Sequence, residues 1–265
     1  APDLARRVLA RFEDPKVGGV CGRLDLRQRS EGRGQKSEDR RQNSHGAEGH
    51  YWQLETWLKA GESSVDSCLG ANGAIYAIRS ELFWNEIPGN TIVDDFVIGM
   101  KVREQGRRVV FAPDAVAEEE VSEVGQEWKR RVRIGAGDYQ ALRLCRCCLS
   151  PRFGRFAWMF WSHKVIRWFT PHAMLLLAVV AGWLLTDKGT TGFALGTVVE
   201  LAIAGGLILA AVGRALRLAG LPKHGFLIRC EYFLLMQCAL LAGFIRFCRG
   251  NLRGEWERTG RKADI

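Results

Sequence analysis

The sequence predicts an α/β layer joined to an α-helical membrane region, and two contrasts within the chain lead to that reading. As far as about Leu149, short apolar runs bounded by glycine or proline alternate with charged amphipathic stretches, the pattern of a mixed strand-and-helix layer. From Phe153 onward long apolar blocks dominate, so the near-zero mean hydropathy averages a water-facing half with a lipid-facing one. The expected division therefore falls near Ser150-Pro151, giving a layer over residues 1–150 and, over residues 151–265, an interfacial helix with two to three membrane helices.

Along the first half, Leu4, Val8, Leu9 and Phe12 share one face of a helix that Asp14-Pro15 ends. The glycine-bounded run over residues 17–24 predicts a buried strand. Residues 27–49 hold almost no apolar side chain and cannot bury a face, which predicts a mobile surface loop. A helix follows over residues 50–58, with Tyr51, Leu54 and Leu58 on one face. Residues 69–79 form a glycine-bracketed turn running into an apolar strand; Gly70 and Gly73 either let the backbone approach a ligand closely or simply make the turn. Residues 92–102 look like a helix start, with Asp94 or Asp95 at its positive end. Residues 108–113 form a further strand that Pro113 should end, and residues 128–142 a helix with Arg130 and Arg133 on one face and Arg131 on a neighbouring one.

In the second half, residues 152–168 interleave Phe153, Phe156, Trp158, Phe160, Trp161 and Trp168 with Arg152, Arg155, Lys164 and Arg167. Such a stretch suits a helix lying in the membrane interface. Residues 170–186 are uncharged and near the lower length limit for a span, residues 192–212 are longer with Glu200 inside, and residues 232–245 are short enough to be re-entrant. Two spans plus a re-entrant segment keep both the basic linker (Arg214, Arg217, Lys223, Arg229) and the basic tail on the cytoplasmic side, whereas three spans would not.

The net charge of +9 has its arginines concentrated before and between apolar blocks, so membrane lipid rather than nucleic acid is the expected partner. Eight scattered cysteines do not form a disulfide framework, and the Cys145-Arg146-Cys147-Cys148 run lacks a spaced second pair for zinc. The chain opens Ala1-Pro2 with no initiator Met or leader, which suggests a processed chain or a fragment.

Four ordered pieces carry a resemblance: Tyr51-Trp52-x-x-Glu55, Gly70-Ala71-Asn72-Gly73-Ala74-Ile75-Tyr76-Ala77-Ile78-Arg79, Val93-Asp94-Asp95-Phe96, and Arg130-Arg131-Val132-Arg133-Ile134-Gly135-Ala136-Gly137. Together they resemble the acceptor-side motifs of membrane-associated family 2 glycosyltransferases, over essentially the whole chain. The resemblance implies a partial GT-A-like catalytic domain, the acceptor-side half, followed by the membrane region.

By that resemblance Asp95, with Asp94 beside it, is the general base of an inverting displacement, accepting the acceptor hydroxyl's proton. A carboxylate within hydrogen-bond reach, its proton affinity raised by an acidic neighbour, suits that role; as residues alone, the pair reads equally as a helix N-cap. Arg131 and Arg133 match the basic motif over the donor diphosphate, where forked guanidinium donors stabilise leaving-group charge; the bland reading is a juxtamembrane basic helix. Gly70, Ala71, Asn72 and Gly73 would line the donor or acceptor pocket, and Trp52 with Glu55 would sit beside the acceptor, although a plain turn and a core-packing helix look the same. Processive members carry Gln-x-x-Arg-Trp where this chain has Arg130-Arg131-Val132-Arg133-Ile134, which favours one or few sugars per acceptor.

No Asp-x-Asp or phosphate loop credible as a metal site appears; the resemblance implies a divalent cation (Mg or Mn) whose ligands lie N-terminal to this chain, since Pro2 to Val20 resembles the helix and strand that follow the family's metal motif. The expectation is an inverting transferase at the cytoplasmic face of a bacterial inner membrane, multi-pass, taking a nucleotide-sugar donor and a lipid-linked or glycan acceptor, with no nucleic acid. As a fragment it should be inactive alone. The alternative is a catalytically incomplete, membrane-anchored subunit of a polysaccharide assembly complex.

Overall fold

A computed structural model describes residues 2–27, 47–120, 124–186, 189–219 and 225–252. Its sheet has three strands in the order β2-β1-β3: β1 (Val17–Arg27) lies in the middle, antiparallel to β2 (Tyr76–Ile78) and parallel to β3 (Arg108–Glu120). β1 has to be glycine-rich because its neighbours crowd it. A Cβ on Gly22 would meet the Ala115 carbonyl oxygen at 2.5 Å, and one on Gly18 would meet Val102 at 2.8 Å.

β3 corrects the sequence expectation that Pro113 ends the strand. Its pairing slips from Gly22↔Ala112 to Arg23↔Val116, so Pro113 sits in a bulge, and the strand resumes beyond it. A residue without an N–H is tolerated there because a bulge leaves positions out of the ladder. The expected loop over residues 27–49 is also shorter at both ends: Arg27 belongs to β1 and the next helix starts at Ala47, while residues 28–46 lie outside the described residues.

Helix α1 (Pro2–Ala10) covers one face of the sheet, where Val8, Val17, Val20, Ala112 and Ala115 are buried together. On the other face Cys21, Cys68, Val102, Val109 and Phe111 pack beneath α2 (Ala47–Val65) and α3 (Asp94–Glu104). The largest core lies farther along. Leu69 and Val97 join Tyr139 of α4 (Val124–Leu144), Phe156 of α5 (Arg155–Met159), Phe160 and Trp168 in one cluster. It runs across Ser150-Pro151 without a break. Burying each such aromatic contributes about 1.5–3 kcal/mol, so the segment beyond Ser150 helps hold the layer together.

That segment is one continuous rod of changing pitch: α5, a π-helix over Phe160–Val165, and α6 (Ile166–Leu184). It is followed by α7 (Thr190–Leu218) and α8 (Gly225–Cys248), both longer than their uncharged blocks suggested. Three stretches, Arg155–Leu184, Thr191–Leu216 and Gly225–Cys248, are long and apolar enough to cross a membrane.

Helix α8 runs parallel to α4. Arg131 donates to the Tyr232 hydroxyl at 3.1 Å, Gly135 faces Ala239 and Leu240, and Tyr139 meets Phe244 edge-to-face with ring centroids 5.1 Å apart. The two backbones nearly touch, since a Cβ on Gly243 would stand 2.7 Å from Ala136 N. All eight cysteines are free; Cys21, Cys68, Cys145 and Cys148 are buried as small apolar groups.

Candidate active site

The turn between α2 and β2 and the start of α3 form one structure. Gly70 adopts φ +78°, a left-handed conformation, and a Cβ there would collide with the Phe96 ring. Gly99, one helical turn along α3, lets the Gly70 backbone sit against it: a Cβ on Gly99 would be 2.8 Å from Gly70 Cα. Ala71 N–H donates to the Asp95 carbonyl oxygen at 3.3 Å. A Cβ on Gly73 would lie 3.0 Å from Asp95 Oδ2. The glycine turn is thus laid across the first turn of α3, with the Asp95 carboxylate beneath it.

The lead-in to α3 is pinned from α4. Ile92 N–H donates to Gln140 Oε1 at 3.0 Å, and Gln140 Nε2 donates to the Asn90 carbonyl at 3.1 Å. Asp95 Oδ1 accepts the Phe96 N–H at 2.8 Å, and Val93, the residue preceding the helix, makes no side-chain cap. Burial pushes the Asp95 pKa above the ordinary carboxylate value; the Phe96 amide pulls it back, Asp94 raises it, and Lys59 and the Gly73 amide lower it. Asp94 is exposed. Tyr76, half-buried on β2, feels both carboxylates, and its hydroxyl pKa is raised by burial and then by them.

A buried ionic cluster lies directly behind the turn. Glu55, 7 % exposed, accepts from Arg167 at 2.9 Å and from Lys164 at 3.4 Å. Glu62, 2 % exposed, has one oxygen 3.2 Å from His163 Nδ1, while the other accepts the Leu69 N–H at 2.9 Å. Lys59 donates to the Gly70 carbonyl at 3.4 Å. Although burial opposes it, the Lys164 and Arg167 charges hold Glu55 well below the ordinary carboxylate range. Asp138 on α4 is pushed up to about 7 by burial, against the pull of Arg167 and Lys164.

Of the residues singled out from sequence, Asp94, Asp95, Gly70, Ala71 and Gly73 come together. Asn72 serves the turn itself, its side-chain oxygen accepting the Ala74 N–H at 3.3 Å. Arg133 lies within the field of Asp94, its pKa lowered by burial, Arg130 and Arg246. Arg131 departs from it, buried and turned toward Tyr232 of α8. Glu55 is buried, and Lys164 and Arg167 are among its partners. Trp52 falls on α2, and its side chain lies outside the described part.

The α2 pattern misled for a physical reason. Leu54 and Trp57 are exposed, and α2 buries a polar face of Glu55 and Glu62 because the π-helix supplies matching polar partners, Lys164 for Glu55 and the His163 ring nitrogen for Glu62. Lys59 and Glu62 were missed by sequence reasoning; the only available signal was their spacing, which places Glu55, Lys59 and Glu62 on one helical face.

Among the described residues, one group has metal-ligating spacing: Glu104, Cys147 and Cys148, with donor atoms within 4.8 Å of one another. It does not fit a hard divalent cation. Two of its donors are thiols whose pKa burial raises, and Glu104 is committed to Lys101 at 2.7 Å.

Comparison with known proteins agrees with this architecture. A solved structure of the mannosyltransferase PcManGT from Pyrobaculum calidifontis, in complex with GDP-Man and Mn2+, superposes with a TM-score of 0.54 at 20% sequence identity. The match covers 94% of this chain and 58% of that one, so the chain spans little more than half the length of that structure. No curated protein sequence matches it. The family model described as glycosyl transferase family group 2 matches residues 2–245, and the chain belongs to that family.

Proposed function

We propose that this chain supplies the acceptor-side half of an inverting glycosyltransferase, with Asp95 as general base. The acceptor hydroxyl gives its proton to Asp95 as its oxygen bonds to the anomeric carbon. The bond from that carbon to the donor phosphate breaks, and its electron pair leaves with the nucleotide diphosphate. The observation that carries this reading is the carboxylate of Asp95, half-buried against the glycine turn with its proton affinity raised. That environment suits a base operating nearer neutrality than a free aspartate.

Asp94 supports Asp95 by its charge, and Arg133, which feels the Asp94 charge, is the guanidinium we assign to charge developing on the leaving diphosphate. The Gly70–Gly73 turn would offer backbone to the pocket. The donor is a nucleoside-diphosphate sugar and the acceptor a lipid-linked or glycan hydroxyl; the Arg130–Ile134 text supports transfer of one or few sugars. The divalent cation expected for the full-length enzyme is assigned no ligand among the described residues, and no step here uses it.

For the membrane we propose that α6 and α7 form a hairpin across the bilayer while α8 lies at the catalytic face. Support comes from the parallel packing of α8 on α4, which carries Arg130, Arg131, Arg133, Asp138 and Arg143 and is too charged for hydrocarbon. Both basic segments then stay on one side.

The test is a donor screen on full-length protein in membranes, using GDP-mannose, UDP-glucose and UDP-N-acetylglucosamine and reading nucleotide diphosphate release. Asp95→Asn should lower turnover by on the order of 10²–10⁴-fold while donor binding persists. Undiminished turnover in this variant removes Asp95 from the mechanism.

A further inference from the structure

The π-helix Phe160–Val165 is an interruption in an otherwise α-helical rod, and such interruptions recur at functional positions. Here it lies against the candidate site along two routes. The first is polar: His163 Nδ1 meets one oxygen of Glu62 at 3.2 Å, and the other oxygen of Glu62 accepts the Leu69 N–H at 2.9 Å. Leu69 immediately precedes Gly70, whose left-handed backbone begins the turn over Asp95. The second route is apolar: Phe160 and Trp168 pack on Phe96, the residue following Asp95, with ring centroids 6.1 and 5.7 Å away.

We propose that His163 and Glu62 are positioning residues for Asp95, through which the membrane-interface helix sets the geometry of the Gly70–Gly73 turn. This rests on the assignment of Asp95 as the base. The reasoning is mechanical. Glu62 is 2 % exposed and divides its two oxygens between the interfacial helix and the turn, so neither partner can shift without disturbing the other. The turn in turn has no slack over α3, since a Cβ on Gly99 would stand 2.8 Å from Gly70 Cα and one on Gly73 would stand 3.0 Å from the Asp95 carboxylate. A helix seated at the bilayer surface thereby fixes the height and tilt of the base, which ties catalytic competence to membrane seating.

The experiment compares His163→Ala, His163→Gln and wild type as full-length protein in lipid nanodiscs. One readout is hydrogen–deuterium exchange over residues 68–74. The other is the separation of kcat from donor KM, with GDP-mannose and UDP-glucose as donors. His163→Ala should speed exchange over residues 68–74 about threefold or more, because Glu62 loses one of its two anchors. It should lower kcat on the order of tenfold with donor KM unchanged, less than the roughly hundredfold that a 1 Å misplacement costs. His163→Gln, which can still donate to Glu62, should restore both. His163 is partly exposed, so its loss leaves the core intact.

Unchanged exchange in His163→Ala, or a kcat equal to wild type, overturns the proposal; so does a loss that His163→Gln does not relieve. Asp95→Asn measured alongside separates the two readings. If that variant turns over normally the base assignment fails, whereas an inactive Asp95→Asn beside a fully active His163→Ala sinks only the positioning role.

Discussion

Gly73 and Asp95 are held so closely that a single added methyl at Gly73 would stand 3.0 Å from the Asp95 carboxylate oxygen Oδ2. That distance is tighter than ordinary van der Waals contact, and the neighbour on the receiving side is the group assigned as base. Gly73→Ala should therefore lower kcat by about tenfold or more while leaving the melting temperature nearly unchanged, since Gly73 itself is exposed. Gly70→Ala should behave differently. Its φ of +78° and the Phe96 ring both oppose a side chain, so it should destabilise the fold by about 1–3 kcal/mol. Thermal melts of the two variants beside turnover separate the effects.

Asp94 raises the proton affinity of Asp95 across the first turn of α3. A base is lost as pH falls through its pKa, so the acidic limb of the kcat/KM profile reports Asp95. Asp94→Asn removes the charge that raises this pKa and should move that limb to lower pH. A limb that stays in place or moves up contradicts the arrangement.

Glu55 joins α2 to the rod over residues 155–184 through Lys164 and Arg167. Glu55→Gln leaves two cations with less compensation in a buried setting. The expected cost is about 2–3 kcal/mol, short of the 3–5 for a wholly enclosed pair because Arg167 reaches solvent. Chemical denaturation in detergent measures it, and a loss below about 0.5 kcal/mol would mean the cluster relaxes freely.

Asp138 has a pKa pushed up to about 7, above that of an unfolded aspartate. The folded state then holds the proton over the range where the unfolded chain has released it. Stability should fall as pH rises from about 4 through 7 and level off above. Asp138→Asn should flatten that slope and raise the melting temperature at about pH 8 by on the order of a few degrees, the gain vanishing near pH 4.

The order of elements was legible in the sequence because it follows from local rules. Glycine and proline punctuate the strands, the apolar runs beyond Phe153 exceed what an α/β layer can bury, and Asp94-Asp95 opens a helix. The juxtaposition of Gly70, Gly73 and Asp95 was reachable only through the family resemblance, since some twenty residues separate them along the chain. Local rules failed where a distant partner changed what a residue could afford to do. Pro113 did not end β3, because a bulge absorbed the missing N–H. The apolar stripe of α2 did not predict its buried face, because polar partners from a helix a hundred residues away, His163 and Lys164, meet Glu62 and Glu55. By itself the sequence determined which segments are strand and helix and which helices are long and apolar, since periodicity and hydropathy act within a few residues. Only the tertiary structure decided that the rod beyond Ser150 shares the layer's core and bears on the turn over Asp95, because buried charge and backbone contact depend on who arrives from elsewhere in the chain.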